Sequence, residues 1–175
     1  MLFRKNIIAV LLAVCSTLAH ADLKIFATVP EWGALAQELG GDKVKVYTAT
    51  TGLQDPHRIQ ARPSLIANAR TSNLVIATGG GLEDGWLPVV QRESNNAGIM
   101  PSQPGYLAAT QYVRMLDVPA SVDRTMGDVH AEGNPHIQTD PRNLLLIAKA
   151  VSARMQQLDP DNATYYRTQL TQFDQ

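Results

Sequence analysis

The strongest constraint on the fold is a short segment, residues 73–77, that is apolar at every position after Asn73. It reads Asn-Leu-Val-Ile-Ala, so a strand of this sequence has apolar side chains on both faces and has to be covered on both sides, as in a parallel sheet. Upstream, the alternating residues 23–28 predict a strand and residues 32–39 predict a helix that ends at Gly40-Gly41. Residues 44–49 predict a second strand. This order predicts a parallel unit with a right-handed crossover.

Three further helices are predicted downstream. Residues 63–69 and 86–93 form two of them. Asp140 is a suitable N-cap and Pro141 a suitable first residue for the third, in which apolar residues recur at four-three-four-three spacing. Residues 99–126 alternate short apolar clusters with prolines and are expected to form short strands and turns. The predicted fold class is therefore α/β, with a mostly parallel sheet flanked by helices.

A last helix is predicted after Asp159-Pro160, which repeats the earlier Asp-Pro start. Its apolar stripe consists of Ala163, Tyr166, Leu170 and Phe173. No stop pattern follows the stripe, so we expect the helix to continue through Gln175.

Composition and charge narrow the function. The 175 residues match the length of one ordinary domain, and a hydrophobic content of 45% is sufficient for a packed core. The formal net charge of −1 provides no basic surface, which argues against nucleic acid as the main partner.

Residues 1–21 are predicted to be a signal peptide. Arg4 and Lys5 precede an apolar run, and Ala19-His20-Ala21 forms a small-residue cleavage site. The predicted location is therefore periplasmic. Lipid anchoring at Cys15, the only cysteine, is the less favoured alternative. After cleavage no thiolate is left, so any metal site has to use His, Asp, Glu or water.

Two histidines stand in similar proline-containing loops. His57 follows Asp55-Pro56, and His136 follows Asn134-Pro135 immediately before the helix that starts at Asp140. Proline restricts the backbone around it, which presents each imidazole from a stiffened loop and suits a metal ligand. Because such loops meet at the carboxyl ends of parallel strands, we predict that His57 and His136 converge on one metal ion. Taken singly, each is more simply interpreted as a surface loop residue.

His130 lies six residues before His136 in an acidic, glycine-flanked stretch. Two interpretations remain open: an auxiliary metal ligand, or a solvated loop histidine, which we favour. The sequence also contains no His-Glu-x-x-His pair and no Gly-x-Ser-x-Gly elbow. The glycines at 79–81 lack the rest of a nucleotide-binding fingerprint, so they predict a strand-to-helix turn. No enzyme class is indicated.

The order of several short motifs resembles the metal-binding substrate-binding proteins of ABC transporters for zinc and manganese. Each motif is weak alone, and their combination covers nearly all of the chain after residue 21. The motifs are Gly41-Asp42, Asp55-Pro56-His57, Pro63-Ser64, Gly81-Leu82-Glu83 with Trp86, Asn134-Pro135-His136 with Asp140-Pro141, Leu158-Asp159-Pro160, and Asn162-Ala163 with Tyr166. The Gly127-to-His136 stretch is most similar to zinc-type periplasmic members.

The resemblance implies two α/β lobes joined by a long helix, with the metal held between them. Residues 22–158 would be the N-terminal lobe and residues 159–175 the start of the linking helix, with the second lobe and its ligands absent. His57 and His136 would be the ligands from this lobe, for Zn²⁺ in preference to Mn²⁺ as the transported ion. The implied partner is a membrane permease, and the full-length protein would be a monomer. We further expect the stripe of the last helix to be exposed.

Two other classes of function remain open. A secreted zinc-dependent hydrolase would need three protein ligands, a water and a general base, and no third well-placed histidine or base is evident. An adhesion or structural domain that binds no metal would need neither histidine. Metal-dependent hydrolysis of a generic ester would favour the hydrolase. Metal affinity that is unchanged in His57→Ala and His136→Ala would favour the adhesion or structural domain.

Overall fold

The computed structural model describes residues 22–121 and 130–175. The predicted signal peptide with Cys15, and residues 127–129 of the stretch that precedes His130, lie outside these ranges. The strands are β1 (Leu23–Ala27), β2 (Val44–Thr48), β3 (Leu74–Ala77) and β4 (Tyr106–Ala108), and the α-helices are α1 (Pro30–Gly40), α2 (Pro63–Thr71), α3 (Leu87–Ser94), α4 (Pro141–Leu158) and α5 (Ala163–Phe173).

The four strands form one parallel sheet in the order β2-β1-β3-β4. Ile25 of β1 pairs with Val46 on one side and with Leu74 on the other. All four strands therefore end at the same edge, and the loops that follow them gather there. The predicted fold class, a parallel sheet flanked by helices, is confirmed.

Helices cover both faces of the sheet. Ile25 and Ile76 contribute to the core on one face, with side chains of α1, α4 and α5, and Phe26 and Val75 face the opposite core, with α2 and α3. The period of two places successive residues of one strand in different cores. Every residue of β3 is buried, as its sequence predicts. Each of its large apolar side chains contributes about 1.5–3 kcal/mol by burial.

Several helix starts follow the expected local chemistry. Pro30, Pro63 and Pro141 each occupy the first turn of a helix, where a missing N–H leaves no hydrogen bond unmade. The Asp140 carboxylate accepts a hydrogen bond from the backbone N–H of Arg142 at 2.9 Å, which confirms the predicted N-cap.

The expectation of an exposed apolar stripe on α5 is wrong. Tyr166 is fully buried, and Leu170 and Phe173 are partly buried against the core that α1 and α4 share. The Tyr166 hydroxyl donates to the buried Asp159 carboxylate, which ties α5 to the end of α4. Folding α5 back onto α1 removes the stripe from water. The helix also ends at Phe173, before Gln175, since the last turn of a helix has unpaired carbonyl groups and frays.

The region that the sequence left unassigned supplies the fourth strand. Residues 106–108 form β4, and short 3₁₀ turns stand at Ala97–Ile99 and Ala109–Tyr112. The prediction of short strands and turns is thus confirmed for the described part of residues 99–126. Within the described residues, no helix combines the length and the apolar character that crossing a membrane would require.

Candidate metal centre

Loops that follow the strands meet at the carboxyl edge of the sheet, and two of these loops carry the three histidines of residues 22–175. His57 lies between β2 and α2, whereas His130 and His136 lie between β4 and α4. All three line one cavity of about 420 Å³, together with Asp117 and the Gly133-Asn134-Pro135 segment. The structure therefore places the sequence-predicted residues around a common space.

His57 is oriented by Asp55. Its ring Nδ1 lies 2.8 Å from Asp55 Oδ1, and its backbone N–H donates to the same oxygen at 3.0 Å. An ionised carboxylate only accepts hydrogen bonds, so the Nδ1 atom carries the proton and the Nε2 atom of the neutral ring carries the lone pair. The hydrogen bond from the His57 side chain is also the main reason why the pKa of Asp55 is lowered from its ordinary value.

The ring of His57 contacts His130 directly. Their Nε2 atoms are 3.0 Å apart, and the ring centroids are 5.1 Å apart. Because the Nε2 atom of neutral His57 is an acceptor, the matching arrangement has the Nε2–H of His130 donating to it. The sequence favoured a solvated loop histidine at position 130. In the structure His130 is a loop residue that is only partly exposed and packs against His57.

His136 is presented by a separate local structure. Its backbone N–H donates to Asn134 Oδ1 at 3.0 Å. Its carbonyl oxygen accepts from Thr139 Oγ1 at 2.8 Å. Its side chain is exposed at the cavity. The structure thus brings His57 and His130 into contact and places His136 on the wall of the same cavity.

These residues suit a metal ion that binds through imidazole nitrogen. A ligand histidine usually donates its other ring N–H to a carboxylate or carbonyl group, which fixes the tautomer and aims the free nitrogen. Asp55 has this relation to His57. In the described residues, no group of three or more His, Cys, Asp or Glu side chains is already arranged to hold a metal. The part played by Asp55 was not predicted, although its position two residues before His57 is the pattern of an Asx turn.

A family model for the periplasmic component A of zinc-uptake complexes (ZnuA) matches residues 25–175. The chain belongs to this family. The match covers all of the sheet from the third residue of β1 onwards, the three histidines and both C-terminal helices.

Individual relatives are distant in sequence and similar in fold. The manganese ABC transporter substrate-binding lipoprotein PsaA of Streptococcus pneumoniae is 22% identical over 170 residues, which is 94% of this chain and 53% of PsaA. A crystal structure of ZnuA superposes with a TM-score of 0.71 at 23% identity, over 87% of this chain and 53% of that one. A manganese-bound periplasmic metal-binding protein from Candidatus Liberibacter asiaticus gives a TM-score of 0.68 at 19% identity, over 86% and 51%.

The chain spans about half the length of the curated relatives it matches. The structural likeness supports the fold, a parallel sheet flanked by helices.

Proposed function

We propose that this chain is the part of an ABC transporter's extracytoplasmic substrate-binding protein that captures a divalent metal ion, with Zn²⁺ as the preferred ion. His57 and His136 bind the ion, and His130 is an auxiliary ligand. The observation that carries the proposal is the cavity at the carboxyl edge of the sheet, which all three histidines line. Membership of the zinc-uptake family supports the same function.

The chemistry of the cavity favours zinc over manganese. Imidazole nitrogen is a good ligand for Zn²⁺, whereas Mn²⁺ is better matched by carboxylate, carbonyl and water oxygen. The oriented donor in the cavity is a neutral imidazole whose Nε2 lone pair is free of the Asp55 contact. Relatives named as manganese transport proteins make manganese the alternative to be tested beside zinc.

Capture and release are the proposed activity, without catalysis. A zinc hydrolase keeps an open coordination position for water and places a general base beside it. The groups of the cavity are better explained as donors to the ion itself. The proposed location is the periplasm, which residues 1–21 as a signal peptide would allow. The proposed partner is the membrane permease that receives the ion, and the complete protein would act as a monomer.

Calorimetric titration of the purified chain with Zn²⁺ and with Mn²⁺ at neutral pH tests the proposal. We expect one-to-one binding that is tighter for Zn²⁺. His57→Ala and His136→Ala should each weaken it by more than the roughly 10–100-fold that loss of an outer-shell partner costs. Leu53→Ala is the matched control, because Leu53 lies in the same loop as His57 with its side chain fully exposed.

Zinc binding that survives both histidine substitutions would overturn the assignment of the site. Absence of binding to the unmodified chain would overturn the function itself for these residues. Zinc-dependent hydrolysis of a generic ester by the unmodified chain, lost in His57→Ala, would replace the receptor with a hydrolase.

A further inference from the structure

The turn that follows β3 touches all three histidine segments. This turn, residues 79–86 and here called the glycine turn, joins β3 to α3. Gly79, Gly80 and Gly81 all have positive φ values, between 62° and 82°. Glycine adopts this left-handed backbone without steric cost, so the chain can fold back tightly at the carboxyl edge of the sheet. The neighbouring loops therefore pack against this turn.

A buried carboxylate anchors the glycine turn to the sheet. Glu83 is 3% exposed. Its Oε1 atom accepts from Thr28 Oγ1 at 2.7 Å and from the backbone N–H of Thr78 at 2.8 Å, and its Oε2 atom accepts from the N–H of Gly79 at 3.0 Å. Three donors from the ends of β1 and β3 therefore converge on one side chain. Such charge-assisted hydrogen bonds are about twice as strong as neutral ones.

The end of the turn holds the loop of His57. The indole N–H of Trp86 donates to the carbonyl oxygen of Pro56 at 2.8 Å, one residue before His57. Trp86 is fully buried, so its ring has a defined position. The backbone of Gly85 also lies close, because a Cβ atom at that position would be 3.1 Å from the carbonyl oxygen of His57. Trp86 and Gly85 of the turn therefore lie beside the carbonyl groups of Pro56 and His57, respectively.

The start of the turn lies against the other two histidine segments. A Cβ atom at Gly81 would be 3.2 Å from Nδ1 of His130, and one at Gly80 would be 3.7 Å from Cβ of Pro135, which precedes His136. The turn is thus in van der Waals range of residues 57, 130 and 135. Among the described residues, no strand joins the loop of His57 to the loop that carries His130 and Pro135.

We propose that the glycine turn is the platform that sets the positions of the three histidines relative to one another, and that the Trp86–Pro56 hydrogen bond is its principal contact with His57. Trp86 is a positioning residue, which acts on metal affinity through the backbone of residue 57. This inference rests on the proposed metal-binding function for its consequence. The positioning itself is a property of the metal-free protein.

Trp86→Phe tests the platform, with Trp32→Phe as its matched control. Both tryptophans are fully buried, and both indole N–H groups donate a hydrogen bond, that of Trp32 to Thr78 Oγ1 at 2.9 Å. The two substitutions remove the same atoms, and only one of them frees the His57 loop. We expect zinc affinity to fall about tenfold or more in Trp86→Phe, as for other outer-shell partners, and to change little in Trp32→Phe. Melting temperatures are measured for both variants.

A second pair of variants leaves the core intact. Gly85→Ala adds a methyl group 3.1 Å from the His57 carbonyl oxygen. Gly52→Ala adds a methyl group in the loop that carries His57, where no atom lies within 4 Å of it. Neither glycine has a positive φ. Gly85→Ala should weaken zinc binding and Gly52→Ala should not. Wild-type zinc affinity in both Trp86→Phe and Gly85→Ala would overturn the proposal. The proposal would also be overturned if zinc affinity fell in all four variants in proportion to their loss of melting temperature.

Nuclear magnetic resonance of the histidine rings in metal-free protein separates failure of the platform from failure of the metal site. We expect the nitrogen and proton shifts of the His57 ring to change in Trp86→Phe and to be retained in Trp32→Phe. If the unmodified chain binds no zinc, the proposed function fails. The His57 ring shifts of the metal-free protein then decide by themselves whether the glycine turn positions His57. Unchanged His57 shifts in Trp86→Phe would then refute it.

Discussion

Replacement of Glu83 by glutamine is the substitution whose cost can be derived most directly from the structure. The wild-type carboxylate accepts from three donors, Thr28 Oγ1 and two backbone N–H groups, those of Thr78 and Gly79. Glutamine has the same shape but only one acceptor oxygen. If that oxygen keeps the donors of Thr28 and Thr78, the new NH₂ group faces the N–H of Gly79. Rotation of the amide by 180° instead places the NH₂ group opposite the N–H of Thr78 and requires the Thr28 hydroxyl to turn and accept.

The magnitude follows from the less damaging orientation. One buried N–H without an acceptor costs about 1–3 kcal/mol, and the two remaining hydrogen bonds lose about 1 kcal/mol each because their acceptor is no longer charged. Burial of a neutral amide in place of a carboxylate costs less desolvation and offsets part of this loss. We therefore expect the free energy of unfolding to fall by about 2–4 kcal/mol. That is a large fraction of the roughly 5–15 kcal/mol of an ordinary domain.

Urea unfolding at neutral pH, followed by circular dichroism, measures this loss. Glu93→Gln is the matched control, because Glu93 is exposed and its ion pair in the described part of the chain is with its neighbour Arg92 at 3.2 Å. Its unfolding free energy should change by less than about 0.5 kcal/mol. If Glu83→Gln is as stable as Glu93→Gln, the three hydrogen bonds do not anchor the glycine turn, and the platform loses its support.

Other groups give shorter predictions. Asp55→Asn should weaken zinc binding about 10–100-fold in calorimetric titration, because His57 loses the carboxylate that orients its ring; unchanged affinity would contradict this. Arg142 lowers the pKa of Asp140 below its ordinary value of 3.8, so the cap's contribution is complete above that value and is lost as the pH falls through the lower folded-state value. Urea unfolding between about pH 5 and pH 2 should therefore show a smaller acid loss in Asp140→Asn than in wild type. Tyr166→Phe leaves the buried Asp159 without its hydroxyl donor and should cost about 1–3 kcal/mol of unfolding free energy; a loss below about 0.5 kcal/mol would count against that hydrogen bond.

The sequence predicts best those strands and helices whose spacing of apolar residues matches the faces that are buried in the fold. After Asn73, residues 74–77 have no polar position, and the strand that they form, β3, is buried on both faces. Asp140-Pro141 and the four-three spacing that follows define a helix start and a buried face, and α4 has both. Local chemistry and burial agree in these segments, so the pattern is sufficient.

The position of α5 shows what a pattern omits. Its stripe of Tyr166, Leu170 and Phe173 was correctly predicted, but its exposure was not. An apolar stripe states that a helix needs a partner and does not identify the partner. Here α1 and α4 are the partners, and the short turn at Pro160–Asn162 brings α5 back onto them. Which surface a helix covers depends on the length and direction of the connection before it.

The candidate metal centre, too, could be predicted from the sequence only in part. Its location at the carboxyl edge follows from the parallel sheet and could be predicted. The contact between His57 and His130 could not, since 73 residues separate them and no spacing rule connects two such loops. Their meeting depends on the glycine turn, where Gly81 lies beside His130 and Trp86 holds Pro56. The glycines at 79–81 marked a turn in the sequence without indicating what would pack on it.

The proton on His57 determines what His130 does when a metal arrives. Asp55 holds the Nδ1 proton, so the ion and the Nε2–H of His130 compete for the same lone pair. If His130 only covers that lone pair, binding breaks one hydrogen bond worth about 0.5–1.5 kcal/mol. His130→Ala would then tighten zinc binding by roughly two- to tenfold. If His130 rotates and gives its own nitrogen to the ion, the same substitution removes a ligand and weakens binding. The auxiliary role proposed above requires weaker binding in calorimetric titration of His130→Ala, and tighter binding would show that His130 is a cover that the ion displaces.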